Sequence, residues 1–316
     1  MKTSIYKLSL MKTVLFIVLL QSVSLRAESV FFEQAEPQNL KVYVEQIIGT
    51  GTTYRNYKNT EELNRVSSWI KEQMQRFGIP CQFQTYAVEG KDYRNIICSL
   101  NTGAAEKYLI GAHCDVHGQQ QGADDNASGV AGVVETARIL AQEKNRLKKN
   151  IEFVFYTLEE PPFFKTEQMG SYRHAQSIKA QKKQIKGVYI LEMIGFYDSA
   201  LTQTYPLGLK WVYPAHANFI AVVSNLQSRT MGEDYCAAMS ELDQLHCERL
   251  VAPAFVKGVD FSDHLNYWSV EIPAVMLTDT AFFRNKNYHT AQDTMKTLNF
   301  EKMSHVVDGL VYTLLK

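Results

Sequence analysis

Three short apolar runs, each closing on histidine or glutamate, constrain this chain more than any other feature. Tyr108-Leu-Ile-Gly-Ala leads into His113, Ile151-Glu-Phe-Val-Phe-Tyr156 leads into Glu159-Glu160, and Gly187-Val-Tyr-Ile-Leu leads into Glu192. Apolar runs of this length read as buried strands. In an open α/β sheet the carboxyl edge of the strands is where ligands bind. Three strands therefore deliver polar chemistry to one edge.

The intervening segments alternate with these runs. Ala127 to Gln142 carries Val130, Val133, Val134, Ala137, Ile139 and Leu140 at helical spacing, which sets Asp125 just before a helix N-terminus. Thr60 to Phe77 has the same periodicity and stops near Gly78. Before about Asn64 the chain reads as an N-terminal helix and a connection. Cys81 to Leu100 suggests an antiparallel strand pair, Phe219–Ser224 and Ile272–Leu277 further core strands, and Glu301–Leu315 a closing helix. The expected fold is α/β, a single domain with a mixed, mostly parallel sheet flanked by helices. With 316 residues, 46% of them hydrophobic and 21% charged, the chain can bury one substantial core. Lys plus Arg equals Asp plus Glu at 33 each, so overall charge gives no argument for nucleic acid or an acidic membrane.

The polar residues form a chemically complete set. Gly111-Ala-His-Cys-Asp115 and Gly122-Ala-Asp-Asp-Asn-Ala-Ser-Gly129 precede Glu159-Glu160, Glu192 and His289. Zinc takes imidazole nitrogen and carboxylate oxygen, and a hydrolytic site keeps a position for water. If His113 and one carboxylate hold one ion, His289 and another hold a second, and Asp125 bridges them, the ligand count closes. Asp125, Glu160 and Glu192 with a hydroxide bring four negative charges, balancing two divalent ions. Glu159 is then left without a metal, and a carboxylate beside an activated water is suited to take its proton and pass it to a leaving amine. An isolated Glu-Glu pair is usually a solvated surface feature; the strand that leads into this one gives it a different context.

The chain resembles the zinc-dependent aminopeptidases of the M28 peptidase clan, in particular their bacterial secreted branch. The resemblance rests on Gly122–Gly129, Glu159-Glu-Pro-Pro-Phe-Phe164 with Met169-Gly-Ser171, Leu191-Glu-Met-Ile-Gly195, Phe261-Ser-Asp-His264 and Asn287-Tyr-His-Thr290, in the family's order from about Asn64 to the C-terminus. It implies a zinc-exopeptidase fold, peptide substrates and hydrolysis of the N-terminal peptide bond. It also implies two zinc ions held by His113, Asp125, Glu160, Glu192 and His289, with Glu159 as general base. Many relatives have Asp where this chain has Glu192, and Asp198 is a fallback ligand ranked below it. Asp115 is expected to accept the free N–H of His113 and fix the ring. Asp263 and His264 are expected to support the ligands or line the pocket, because consecutive Ser262-Asp263-His264 cannot form a nucleophilic triad. Phe163, Phe164 and Tyr288 are candidate pocket walls, with simple packing as the ordinary alternative.

Three other activities compete. A glutaminyl cyclase shares the fold with one zinc, but the complete ligand set favours two ions. A carboxypeptidase would need a cation for the substrate carboxylate, for which Arg284 is the candidate. A non-catalytic peptide-binding protein would have no use for Glu159.

Residues 1–27 read as a secretory signal peptide. Lys2, Lys7 and Lys12 precede the apolar stretch Val14–Leu20, and small or polar residues follow to Ala27. Cleavage after Ser24 and a start at Met11 are alternatives, as is an uncleaved anchor. The mature domain is then 28–316, exported to the periplasm or beyond, with no stable membrane insertion after cleavage. Of five cysteines, Cys236 and Cys247 are close enough to pair, Cys114 reads as buried packing, and Cys81 and Cys98 stay open.

Overall fold

Strand pairing makes immediate neighbours of the three apolar runs. The protein is described over residues 32–316, apart from residue 207, by a computed structural model. The expected signal peptide lies outside the described residues. In the unit Gln34–Lys316 the chain forms β1 (Cys81–Val88), β2 (Lys91–Leu100), β3 (Lys107–His113), β4 (Asn150–Tyr156), β5 (Gly187–Glu192), β6 (Asp198–Thr202), β7 (His216–Ala217), β8 (Ile220–Ser224), β9 (Cys247–Val251) and β10 (Ala274–Thr278). The main sheet runs β1-β2-β4-β3-β5-β10-β8-β9, and β6 pairs only with β7. β4, β3, β5 and β10 are mutually parallel, as are β8 and β9, whereas β1–β2, β2–β4 and β10–β8 are antiparallel. The sheet is mixed, with its parallel strands at the centre.

Register aligns the functional ends. His113 lies opposite Tyr156, and Glu192 lies opposite Thr278, so β3, β4, β5 and β10 finish at one edge. The last of these strands begins at Ala274, later than the sequence suggests. Pro273 has no N–H to give a ladder; its carbonyl instead accepts the Val188 N–H at 2.9 Å.

Helices cover both faces: α1 (Pro37–Ile48), α2 (Thr60–Arg76), α3 (Gly129–Gln142), α4 (Gly170–Ala180), α5 (Arg229–Leu242), α6 (His264–Trp268) and α7 (Phe300–Leu315). Asn59 and Asn299 cap α2 and α7, their side chains accepting the N–H groups of Glu62 and Lys302. Alternate strand residues choose the layer. Leu109, Val154, Tyr156, Val188 and Ile190 pack with Ala175 and Ile178 of α4 and Tyr267 of α6. Leu191, of the opposite parity, meets Gly132 of α3, where a side chain larger than hydrogen would collide with Leu191 and Ile194.

Two disulfides reinforce this frame. Cys81 and Cys98 are direct partners across β1 and β2, with Cα atoms 4.0 Å apart, and Cys236–Cys247 ties α5 to β9. Cys114 is buried and unbridged, its thiol donating to the Tyr156 carbonyl. Structural disulfides fit an oxidising compartment. Among the described residues no helix is long and apolar enough to cross a membrane.

Candidate metal centre

The carboxyl ends of β3, β4 and β5 and the turn before α3 bring His113, Asp125, Glu159, Glu160 and Glu192 together, and the segment before α7 adds His289. His113 Nε2 lies 3.4 Å from Asp125 Oδ1 and 3.2 Å from Glu192 Oε2. His289 Nε2 lies 3.0 Å from Asp125 Oδ2 and 3.1 Å from Glu160 Oε2. Among the described residues three groups could hold a metal ion, His113–Asp125–Glu192, Asp125–Glu160–His289 and His113–Glu159–Glu160, and Asp125 belongs to the first two, each of which has its own histidine. Glu159 belongs to the third group alone, with its Oε2 3.9 Å from His113 Nε2, farther than Asp125 or Glu192.

The Asp124–Asp125 pair divides sharply in role. Asp124 turns back into the protein, where its carboxylate accepts from the Gly195 N–H at 2.9 Å and the Asn285 amide at 2.8 Å. Asp125 turns to the histidines. Gly122 makes the bend possible: it sits at φ +58°, and a Cβ there would strike the Asp125 carbonyl. Neighbouring groups hold the candidate ligands. Ser262 donates to Glu192 Oε2 at 2.7 Å, and the His117 N–H donates to Glu160 Oε1 at 3.0 Å. Asp293 accepts the backbone N–H groups of both Asp124 and Asp125.

The electrostatics of this cluster call for a cation. Burial alone would lower the His113 imidazole, yet Glu192, Glu159, Asp115 and Asp125 outweigh it and hold it well above the usual histidine range. His289, pulled down by burial, is brought up to about 10 by Asp125 and Glu160. Burial and the Asp125 charge push Glu160 up to about 8 despite His289 beside it. Burial likewise raises Glu159, with His113 opposing and Glu192 and Glu160 adding to the rise. Both ring nitrogens of His113, Nε2 of His289 and Oδ2 of Asp125 are buried without a hydrogen-bond partner. Buried polar atoms are normally satisfied. Unsatisfied imidazole and carboxylate donors converging on common points fit divalent metal ions, which would replace the extra protons.

Comparison with known proteins agrees with this chemistry. The model of peptidase family M28 matches residues 95–314. The chain belongs to peptidase family M28. An Escherichia coli relative, the uncharacterized protein YfbL, is 38% identical over 95% of this chain and 98% of its own length. Leucine aminopeptidase 1 of Fusarium vanettenii is 25% identical, covering 88% of this chain and 70% of that protein. Among solved structures, the glutaminyl cyclase of Bacteroides thetaiotaomicron superposes with a TM-score of 0.68 at 17% identity, over 90% of this chain and 99% of that one. At such identity the likeness concerns the fold. The M28 match assigns the chain to the peptidases, and so to the hydrolases.

The other residues singled out in the sequence divide: Asp263 and Tyr288 stand beside the candidate ligands, whereas His264, Asp198 and Arg284 do not. Asp115 Oδ1 is 3.6 Å from His113 Nδ1, beyond hydrogen-bond length; its oxygens accept the N–H groups of Glu159 and Glu160 instead, at 3.2 and 3.1 Å. It anchors the glutamate pair more directly than the ring. Asp263 is fully buried, and His113, Glu192 and Asp115 are the charges it feels. His264 does not face the ligands: its Nε2 lies 2.8 Å from the Val259 carbonyl and its ring packs edge-on against Trp268. Asp198 is exposed on β6, capping the Ala200 N–H, and cannot replace Glu192. Arg284 is 2% exposed, donates to Gln203, Thr280 and the Phe219 carbonyl, and is not among the residues lining the apolar pocket beside Glu192. Phe163 packs against Tyr57 in a small cluster, Phe164 against Phe261, and Tyr288 stacks on His289 with ring centres 3.8 Å apart. Asn126, Ser262, His117 and Asp293 support the centre, yet the sequence gives only their proximity to the ligand motifs.

Proposed function

We propose that this M28 peptidase is an aminopeptidase holding two zinc ions, one among His113, Asp125 and Glu192 and one among Asp125, Glu160 and His289. The observation that carries the reading is the membership of Asp125 in two ligand groups, each with its own histidine. When bound, the ions would polarise the scissile carbonyl and acidify the attacking water.

Glu159 would take a proton from that water at a carboxylate oxygen. As the water oxygen bonds to the carbonyl carbon and the C–N bond breaks, Glu159 would return the proton to the leaving nitrogen. Its raised affinity for protons, caused first by burial, suits a group that must hold one between the two events. Asp115 would keep Glu159 and Glu160 in position through their backbone N–H groups, and Ser262 would orient Glu192. The buried carboxylates would meet the substrate ammonium. The first side chain would enter the narrow apolar pocket beside Glu192 and Tyr288, of about 90 Å³, whose walls include Phe219, Phe261, Met276 and Phe282. Export to an oxidising compartment accords with the two disulfides.

The second reading is glutaminyl cyclisation, favoured by the fold likeness to a glutaminyl cyclase; a one-zinc cyclase would leave half of the doubled cluster without a task. Peptides with free, N-acetylated and N-terminal Gln ends distinguish the two. Zinc-dependent release of the first residue from free-ended peptides alone supports the aminopeptidase, and cyclisation of N-terminal Gln supports the alternative.

A further inference from the structure

His289 is sandwiched between two rings. Tyr288 stacks on it with ring centres 3.8 Å apart and planes at 17°, and His117 stacks with centres 4.2 Å apart and planes at 2°. Two rings stacked this closely on a third must occupy its opposite faces. Tyr288 lines the apolar pocket, whereas His117 lines a second cavity, a cleft of about 680 Å³ that also touches Pro161, the residue after Glu160. The metal-ligand cluster is thus flanked by cavities of different character, one narrow and mainly apolar, the other wide and lined by polar and apolar surface in about equal measure.

The wide cleft has a fixed wall. Its Thr52–Asn59 side is tied to the loop 114–122 by the buried Arg55, whose guanidinium donates to the carbonyls of Cys114 at 2.9 Å and Gly122 at 2.6 Å, and also to Gln121. Asn56 adds a bond to the Gly118 carbonyl at 2.5 Å, and the Tyr93 hydroxyl holds the Tyr57 carbonyl at 2.7 Å. A surface held in place before binding loses little freedom when a ligand arrives. Threonine, asparagine and glutamine side chains in the lining can hydrogen-bond a peptide main chain. Among the described lining residues there is no carboxylate, and Lys58 is the one permanently charged group. Its ammonium lies 5.5 Å from the centre of the Tyr57 ring and is exposed.

We infer that this cleft binds the leaving-group side of peptide substrates, and that Lys58 selects there for a carboxylate. The inference rests on the aminopeptidase reading. Hydrolysis beside His289 divides a substrate into one residue and a remaining chain. Of these two cavities the narrow pocket, of about 90 Å³, suits a side chain, and the cleft, of about 680 Å³, suits a longer chain. The selected carboxylate has two sources, an acidic side chain after the scissile bond or the C-terminus of a short peptide.

The test compares zinc-loaded wild type with Lys58→Glu on matched substrates. Leu-Glu-Gly-amide against Leu-Gln-Gly-amide reports the side chain, and Leu-Gly-Gly against Leu-Gly-Gly-amide reports the terminus. For wild type, kcat/KM is expected to favour the carboxylate member of at least one pair by about threefold, the range of an exposed ion pair. The preference should shrink with added salt and vanish or invert in Lys58→Glu. Equal rates within both pairs, or a preference that Lys58→Glu leaves intact, overturn the inference. Calorimetric binding of the same peptides to zinc-loaded Glu159→Gln, with and without Lys58→Glu, gives an answer independent of turnover. If wild type cleaves nothing while this binding still shows the Lys58-dependent preference, the aminopeptidase reading falls and the carboxylate-selective cleft stands; no preference in binding or turnover overturns the cleft.

Discussion

Asp293 holds Asp125 by its backbone: one carboxylate oxygen accepts the Asp125 N–H at 3.0 Å, while the other accepts the Asp124 N–H at 2.8 Å. Asp293 follows His289 by four residues, so one short segment supplies a candidate ligand and the clamp for the shared one. Replacing Asp293 by Ala would remove both acceptors and leave Asp125 free to turn. Zinc affinity should fall by about tenfold to a hundredfold, the range for residues that orient ligands. Competition with a chromophoric chelator measures this, with circular dichroism confirming the fold. Unchanged affinity would deny Asp293 a positioning role.

Glu159 can be tested apart from the ligands. Glu159→Gln preserves shape but cannot accept a proton. A loss of about 10²- to 10⁴-fold in kcat is expected, with the zinc content of wild type. Activity close to wild type would assign proton transfer to another group.

The disulfide between Cys81 and Cys98 closes a segment with a sequence separation of 17. Constraining a loop of this size is worth about 3 kcal/mol through the unfolded chain. Cys81→Ala with Cys98→Ala should therefore lower the urea midpoint clearly, with a slope equal to or steeper than that of wild type because the released unfolded chain exposes more surface. An unchanged midpoint would show that the β1–β2 pairing needs no link.

Acid stability should depend on Glu152, which is 3% exposed. Burial alone would raise its carboxyl, but His174 at 3.2 Å and Lys107 at 3.1 Å outweigh this and bring it down to about 2. A depressed folded pKa stabilises above the unfolded value, and that stability is lost as pH falls from about 4.5 towards about 2. The shift corresponds to at most about 3 kcal/mol. Glu152→Gln should cost stability at pH 6 and less at pH 2, as thermal melts across that range would record. A pH-independent difference would exclude this linkage.

Much of this architecture is legible in the sequence because its signals are local. The runs ending at His113, Tyr156 and Glu192 became central strands, and Thr60–Arg76 and Phe300–Leu315 became helices with asparagine caps. The Cys81–Cys98 pairing stays open in the sequence, because it depends on the strand register, which sets the two opposite each other across the Glu89-Gly90 turn. Contacts between distant segments were not readable. Arg55 reaches Cys114 and Gly122 across the fold, and Asp293 reaches Asp125, in each case through backbone atoms that carry no residue-type signal. His264 and Arg284 show the converse: a residue type suited to chemistry was used for packing.

The two-ion claim is tested most directly by counting. Metal-free protein titrated with zinc, followed by removal of excess and elemental analysis, should bind two ions per chain, and His113→Ala and His289→Ala should each weaken a different one. Saturation at one ion in wild type, or loss of the same ion in both variants, would contradict the shared role of Asp125.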